Sequence, residues 1–187
     1  MSPDPEQAEQ LIRELGSLTD RTRTAGRSVT TGLPLIGWSV AFGLGYPALA
    51  LLDGGVRLLV VGLAWLVGMG CSWLPMRHAV RTGAEGRTRW GWVVVLVASP
   101  FLVAAAQPSS WIYIALFLGA LWGMAMSLYA VATADVPFAV VSMLVVVVAA
   151  VAAVQPLLPE LVFFGIGSAL PLLSIGVYRT MSGVRRV

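Results

Sequence analysis

The sequence predicts an all-α fold, a polytopic helical bundle in a membrane, from three observations. The 187 residues are 58% hydrophobic and 11% charged, with a mean hydropathy of +0.85. Such a chain has too little polar surface to cover a water-soluble globule, so its solvent is lipid. Apolar runs recur along it, and arginines are distributed unevenly between them.

Six apolar segments approach or reach the ~20 residues that a helix needs to cross a ~30 Å hydrocarbon core. The predicted spans are Leu33–Leu52, Leu58–Met76, Trp90–Ala106, Trp111–Ala134, Val136–Val154 and Leu161–Tyr178. The chain is thereby divided into an N-terminal segment 1–31, a six-helix transmembrane domain 32–178 and a basic tail 179–187.

The arginines predict the orientation of the bundle. With the N-terminus inside, eleven of the twelve lie in the N-terminal segment, the loop between the second and third spans, and the tail, whereas Arg57 alone lies outside. Cytoplasmic loops carry such an excess. We therefore expect both termini in the cytoplasm. The absence of lysine and the abundance of Ala, Val, Gly and Leu are typical of a high-GC bacterium, which predicts a bacterial inner membrane.

The basic stretch Pro75–Trp90, PMRHAVRTGAEGRTRW, is interpreted as this cytoplasmic loop. It lacks the G-x-x-x-x-G-K-[ST] spacing of a phosphate loop, and no predicted strand precedes it. His78 has no second histidine, cysteine or paired carboxylate beside it, and Cys71 is the only cysteine. We predict no nucleic-acid, metal or cofactor site.

Enzyme signatures are also missing from the predicted spans. No Asp, Glu, Lys, Arg or His lies mid-span, where such groups mark proton relays and ion paths. GIGSAL, Gly165–Leu170, places Ser168 beside glycines, loosely like the nucleophile region of rhomboid proteases, but no histidine follows. We predict no catalytic residues.

Short polar turns are given structural roles. Asp135, in TADVP, is expected to cap the fifth span and to face its positive dipole end. Asp53 and Arg57, four residues apart, are expected to pair across the first outer turn.

Small residues at four-residue spacing are interpreted as helix contact faces, because close backbone approach supplies packing in lipid. The stripes are Gly37, Ala41 and Gly45; Ala64, Gly68 and Ser72; and Ala115, Gly119, Gly123 and Ser127. Pro47, Pro100 and Pro171 are expected to kink their helices, for motion or for packing.

Aromatic residues are expected at the membrane interfaces. Near inner ends lie Trp38, Trp73, Trp90, Trp92, Tyr129 and Tyr178, and near outer ends Tyr46, Trp111 and Tyr113. Trp65 and Trp122 fall mid-span, where they are expected to pack or to face lipid.

The N-terminal segment predicts a cytoplasmic amphipathic helix, with Asp4 as N-cap and Pro5 at the first helical position. Gly16 and the polar residues after it are expected to form a hinge or a frayed turn, with arginines that meet lipid headgroups. Acidic residues on the opposite side of this helix disfavour its binding to an anionic bilayer surface. Two ways of covering its apolar face are left: docking on a protein partner, or docking on the chain's own bundle. A homo-oligomer also stays open. The apolar face consists of Ala8, Leu11, Ile12, Leu15 and Leu18.

The helix EQAEQLIRELGSLTDRTRTAGR, running into GWSVAFGLGYPAL and five further spans, resembles small uncharacterised actinobacterial membrane proteins, many of them encoded beside a winged-helix regulator. The layout is also similar to permeases of the ABC-2 type, with Arg77–Arg89 as the loop that touches an ATPase, although QPLLPE is short where those permeases carry re-entrant segments. Substrate-binding subunits of energy-coupling-factor transporters resemble it in size and first-helix stripe. These resemblances imply an accessory or regulatory protein, or alternatively a small transporter subunit for an apolar or amphipathic solute.

Overall fold

The computed structural model describes the backbone of residues 5–76, 83–154 and 158–184, and every regular element in these ranges is an α-helix. Within the helices, the side chains of residues 5–8, 17–31, 75–76, 83–90 and 183–184 lie outside the description. The helices are α1 (Pro5–Leu51), α2 (Gly54–Met76), α3 (Gly83–Ala106), α4 (Trp111–Ala132), α5 (Val136–Val154) and α6 (Glu160–Val184).

Among the described residues, five helices contain a segment long and apolar enough to cross a membrane. These segments are Gly32–Leu51, Gly54–Leu74, Trp111–Ala132, Val136–Val154 and Glu160–Ser182. The apolar part of α3, Gly91–Ala106, is shorter, because the first residues of this helix are polar. By length and composition, the chain is a multi-pass membrane protein.

Helix α1 is one continuous helix of 47 residues, and the expected hinge at Gly16 is therefore wrong. From Pro5, the first described residue, the helix passes through the polar residues 17–31 into the span. Asp4, the predicted N-cap, lies outside the described residues. A single glycine costs only about 1 kcal/mol in a helix interior, which is too little to interrupt helix on both sides. We call residues 5–31 the extension; at ~1.5 Å per residue it is about 40 Å long.

Helix α1 lies along both α2 and α6, while α5 packs on α4 and α6. Among the described residues, the backbone of α3 lies close only to α4. Gly32 of α1 lies against Thr180 of α6, so the extension leaves the bundle beside the end of α6. We call this end the Arg179 end.

Two predicted stripes of small residues face each other, which confirms them as contact faces. A Cβ at Gly37 of α1 would collide with Cys71 of α2, and a Cβ at Gly68 of α2 would lie 3.3 Å from the Ala41 Cβ. In α4, Gly119 lies against Phe164 of α6. These faces serve packing inside the bundle.

The predicted prolines lie inside helices that continue through them. Pro47 is in α1, Pro100 in α3 and Pro171 in α6. Pro47 also has a packing contact, because a Cβ at Gly165 of α6 would lie 2.6 Å from the Pro47 Cδ.

Gly123→Leu is expected to lower the free energy of unfolding by about 1–3 kcal/mol, since an overpacked contact forces helices apart. A Cβ at Gly123 would lie 3.0 Å from the Cβ of Val145 in α5. Gly62→Leu in α2 is the matched control, because nothing lies within 4 Å of a Cβ there. Thermal unfolding in detergent measures both; equal melting temperatures would contradict the assigned contact.

Candidate functional site

The turn between α4 and α5 is built around Asp135. Ala134 has a positive φ of 53°, and the Asp135 N–H donates to the Ala130 carbonyl at 2.8 Å, which closes the end of α4. The Phe138 N–H then donates to the Asp135 Oδ1 at 3.2 Å. Asp135 is therefore the N-cap of α5, as predicted from the sequence.

The same carboxylate binds Arg179 of α6, a contact that the sequence analysis missed. The guanidinium donates to both carboxylate oxygens, at 2.7 Å and 2.5 Å. The side chains of Arg179 and Asp135 are only 12% and 5% exposed, and the Arg179 Cζ lies 6.0 Å from the centre of the Phe138 ring. This bidentate pair fastens the α4–α5 turn to α6.

The pair also limits the chemistry of this end of the bundle. Both oxygens of Asp135 are engaged by Arg179, and one also by a backbone N–H, so the carboxylate is held as a structural acceptor. Among the described residues, no group of three or more His, Cys, Asp or Glu is placed to hold a metal ion.

The predicted pair in the first outer turn does not form. Arg57 and Asp53 are joined only through the backbone, with the Arg57 N–H 3.4 Å from the Asp53 carbonyl oxygen. Gly54, with a φ of +60°, makes this turn instead.

Aromatic side chains from all six helices form one connected cluster, with centroid separations from 4.6 to 6.4 Å. Edge-to-face and offset pairs of this kind contribute about 0.5–1.5 kcal/mol each beyond the burial of their area. The rings, which we call the aromatic core, are Trp38, Phe42, Tyr46, Trp65, Trp92, Trp122, Tyr129, Phe138 and Phe164.

The aromatic core corrects part of the interface prediction. Trp38 is buried and donates its indole N–H to Ser72 Oγ at 3.0 Å. Tyr46 is also buried, with its hydroxyl 3.4 Å from the Ala115 carbonyl oxygen. Trp65 and Trp122 pack in this core. In contrast, Trp73, Trp111, Tyr113 and Tyr178 are exposed on the bundle surface.

The GIGSAL segment of α6 is a packing face. A Cβ at Gly165 would lie 2.8 Å from the Phe42 carbonyl oxygen, and one at Gly167 would lie 2.8 Å from Val148. Ser168 is fully buried, and its hydroxyl has no hydrogen-bond partner among the described residues. Ser142 of α5 is in the same state.

The described part of the extension carries an exposed apolar face. Leu11, Ile12 and Leu15 are 56%, 69% and 62% exposed. Glu9 and Arg13 form an exposed ion pair at 3.2 Å on the same helix. The other predicted members of this face, Ala8 and Leu18, have side chains outside the description, and so do the arginines of the predicted basic loop and His78.

The helical phase of α1 relates this face to the bundle. Leu15, Leu33 and Leu51 are successively 18 residues apart, which is five full turns at 3.6 residues per turn. Leu51 is exposed and Leu33 is partly buried. Phe42, seven and a half turns after Leu15, lies on the opposite side in the aromatic core. Leu15 therefore lies on the side of α1 opposite Phe42, whereas Ile12, ten turns before the buried Ala48, is in phase with a position that the bundle covers.

Fold and surface together define a helical multi-pass membrane protein with a long helix projecting from one end. Comparisons of the chain with protein families, with curated proteins and with solved structures find no match.

Asp135→Asn is expected to lower the free energy of unfolding by about 3–5 kcal/mol, because it removes the charged carboxylate from the buried pair with Arg179 while an Asn can still cap α5. Adding Arg179→Met should recover part of this loss. Glu9→Gln, which breaks the exposed pair with Arg13, is the control and should cost less than about 0.5 kcal/mol. Equal melting temperatures for Asp135→Asn and Glu9→Gln in detergent would refute the role of the pair.

Proposed function

We propose that the chain is a non-enzymatic membrane protein that acts as an accessory or regulatory partner of another protein, which binds the apolar face of the extension. One observation carries the proposal. Leu11, Ile12 and Leu15 are more than half exposed on a helix that continues without a break into the bundle.

The energetic argument comes from these three side chains. Burying one Leu or Ile fully contributes about 1.5–3 kcal/mol relative to leaving it in water. A helix face with apolar residues at such spacing fits an apolar groove on a partner, which is a recurring mode of peptide recognition. A partner that covers this face therefore gains binding free energy from the burial of these side chains, which the isolated chain leaves in water.

Two other ways of covering the face have less support. The bundle's own helices are a poor fit for Leu15, because this residue lies on the side of α1 opposite the aromatic core. An anionic bilayer surface is also a poor fit, because the exposed Glu9 and Glu14 lie on this part of the helix. A protein partner is favoured on both counts.

We further infer that α3 is a sixth crossing and that both termini are cytoplasmic, in a bacterial inner membrane. In support, α3 runs antiparallel along α4, with Trp92 against Tyr129 at the Arg179 end. Its 24 residues are about 36 Å long. The 11 to 1 arginine distribution supports the orientation.

The transporter alternative has less support. Among the described residues, a surface groove between α3 and α4 measures about 210 Å³, below the ~300–1,000 Å³ of pockets that enclose drug-sized ligands.

Reporter fusions test the topology. Fusions after Arg89 and after Arg186 are both expected to report the cytoplasm, and a fusion within residues 107–110 the outside, because arginine-rich segments stay inside. Opposite locations for the first two would mean that α3 does not cross.

The partner is tested with Leu11→Asp combined with Leu15→Asp. The wild-type chain, crosslinked in its native membrane and purified, is expected to carry a partner that the double variant loses, because buried charges disrupt an apolar contact. Membrane insertion should persist, since the spans and arginines are unchanged.

Gln10→Asp with Ser17→Asp is the control, because it adds the same charge on the opposite side of the helix. This control is expected to retain the partner. A double variant that keeps its partner but melts at a lower temperature would instead identify the extension as an internal brace.

A further inference from the structure

The continuity of α1 sets the distance between the apolar face of the extension and the bundle. The apolar span of this helix begins at Gly32, and the helix runs without a break from Pro5. At ~1.5 Å per residue, Leu15 lies about 26 Å and Leu11 about 32 Å from Gly32 along the helix axis. The face is therefore well separated from the start of the span.

This distance exceeds the thickness of a membrane interface. The headgroup region adds only about 5–8 Å on each side of the ~30 Å hydrocarbon core. Transmembrane helices tilt by up to about 40° from the membrane normal. Even at that tilt, Leu15 lies about 20 Å from the level of Gly32 along the normal. The face formed by Leu11, Ile12 and Leu15 is therefore in water, beyond the headgroups.

The helix beside Gly32 does not extend to this height. Thr180 of α6 lies against Gly32, and the described part of α6 ends at Val184, about one turn further on. The apolar face begins several turns beyond that point. Neither the bilayer nor the described part of α6 covers it, so a covering protein contacts it with a part that lies outside the membrane.

The charges beside the face indicate what borders the binding surface of that protein. Residues 9–16 are all exposed. At about 100° per residue, Glu9 and Glu14 lie about 110° to either side of the centre of the face, whereas Arg13 lies on the far side of the helix. The pair of Arg13 with Glu9 is fully exposed to solvent screening, with side chains 76% and 73% exposed. Basic groups on both edges of a groove complement these two carboxylates.

We infer that the apolar face binds a water-soluble domain of a separate protein, in an apolar groove bordered by basic side chains. The inference rests on the proposed function, because it names the kind of partner that the extension binds. The contact lies about 26–32 Å from the bundle, so no transmembrane segment of the partner takes part in it.

Site-specific photocrosslinking of the full chain in its native membrane tests the inference. A photoreactive phenylalanine derivative replaces Leu15, and in a control it replaces Gln10, which is exposed on the opposite side of the helix. After irradiation, the crosslinked peptides are identified by mass spectrometry. The variant at Leu15 is expected to crosslink to another protein, at a peptide outside any transmembrane segment. The variant at Gln10 should crosslink to it far less.

The basic border is tested with the same probe at Leu15. Glu14→Gln is expected to lower the crosslinked fraction at about 0.1 M salt, and about 1 M salt should remove the difference, because the screening length falls from about 10 Å to about 3 Å. Asp53→Asn is the matched control, since it removes one exposed carboxylate at the other end of α1. This control should leave the crosslinked fraction unchanged.

Each contrary result has a separate meaning. A crosslink to a transmembrane segment of another protein would overturn the inference but leave the proposed function standing. Crosslinks only within the chain, only to a second copy of it, or only to lipid would overturn both. An equal crosslinked fraction for Glu14→Gln and Asp53→Asn would exclude the basic border.

Discussion

Helix α1 lies against α2 on one side and α6 on the other, and at both contacts glycine removes the side chain that would separate the backbones. A Cβ at Gly176 of α6 would lie 3.0 Å from the Ile36 backbone nitrogen, and one at Gly37 would collide with Cys71. In lipid there is little hydrophobic force between helices, so such close approach supplies the attraction. The rest of the bundle is arranged around this three-helix contact.

The aromatic core and the buried ion pair both depend on that spacing. Phe164 reaches Phe42 and Tyr46 because α6 lies close enough to α1 for their rings to meet edge to face. The position of α6 beside α5 also sets Arg179 level with Asp135. The placement of α6 between α1 and α5 therefore determines an apolar cluster on one side and a polar contact on the other. Removing either residue of the pair lowers the free energy of unfolding, because a buried charge without a counter-charge is strongly unfavourable.

The sequence predicted features that depend on local spacing. The apolar runs predicted the helices. Four-residue spacing predicted the small-residue faces that meet between α1 and α2, and 3.6-residue periodicity predicted the apolar face of Leu11, Ile12 and Leu15. The ion pair was not predictable in this way, because Asp135 and Arg179 are 44 residues apart and meet only through helix rotation and register. The direction in which that face points was not predictable either, because it follows from the continuity of α1.

The continuity of α1 makes the extension a lever. Turning α1 about its axis is opposed, because rotation would bring side chains into contacts that now hold only glycine at Gly32 and Gly37. With an arm of about 40 Å, a tilt of about 10° displaces the tip by about 7 Å. A lateral force on the tip therefore acts first at the point where the extension leaves the bundle, beside Gly32 and the end of α6.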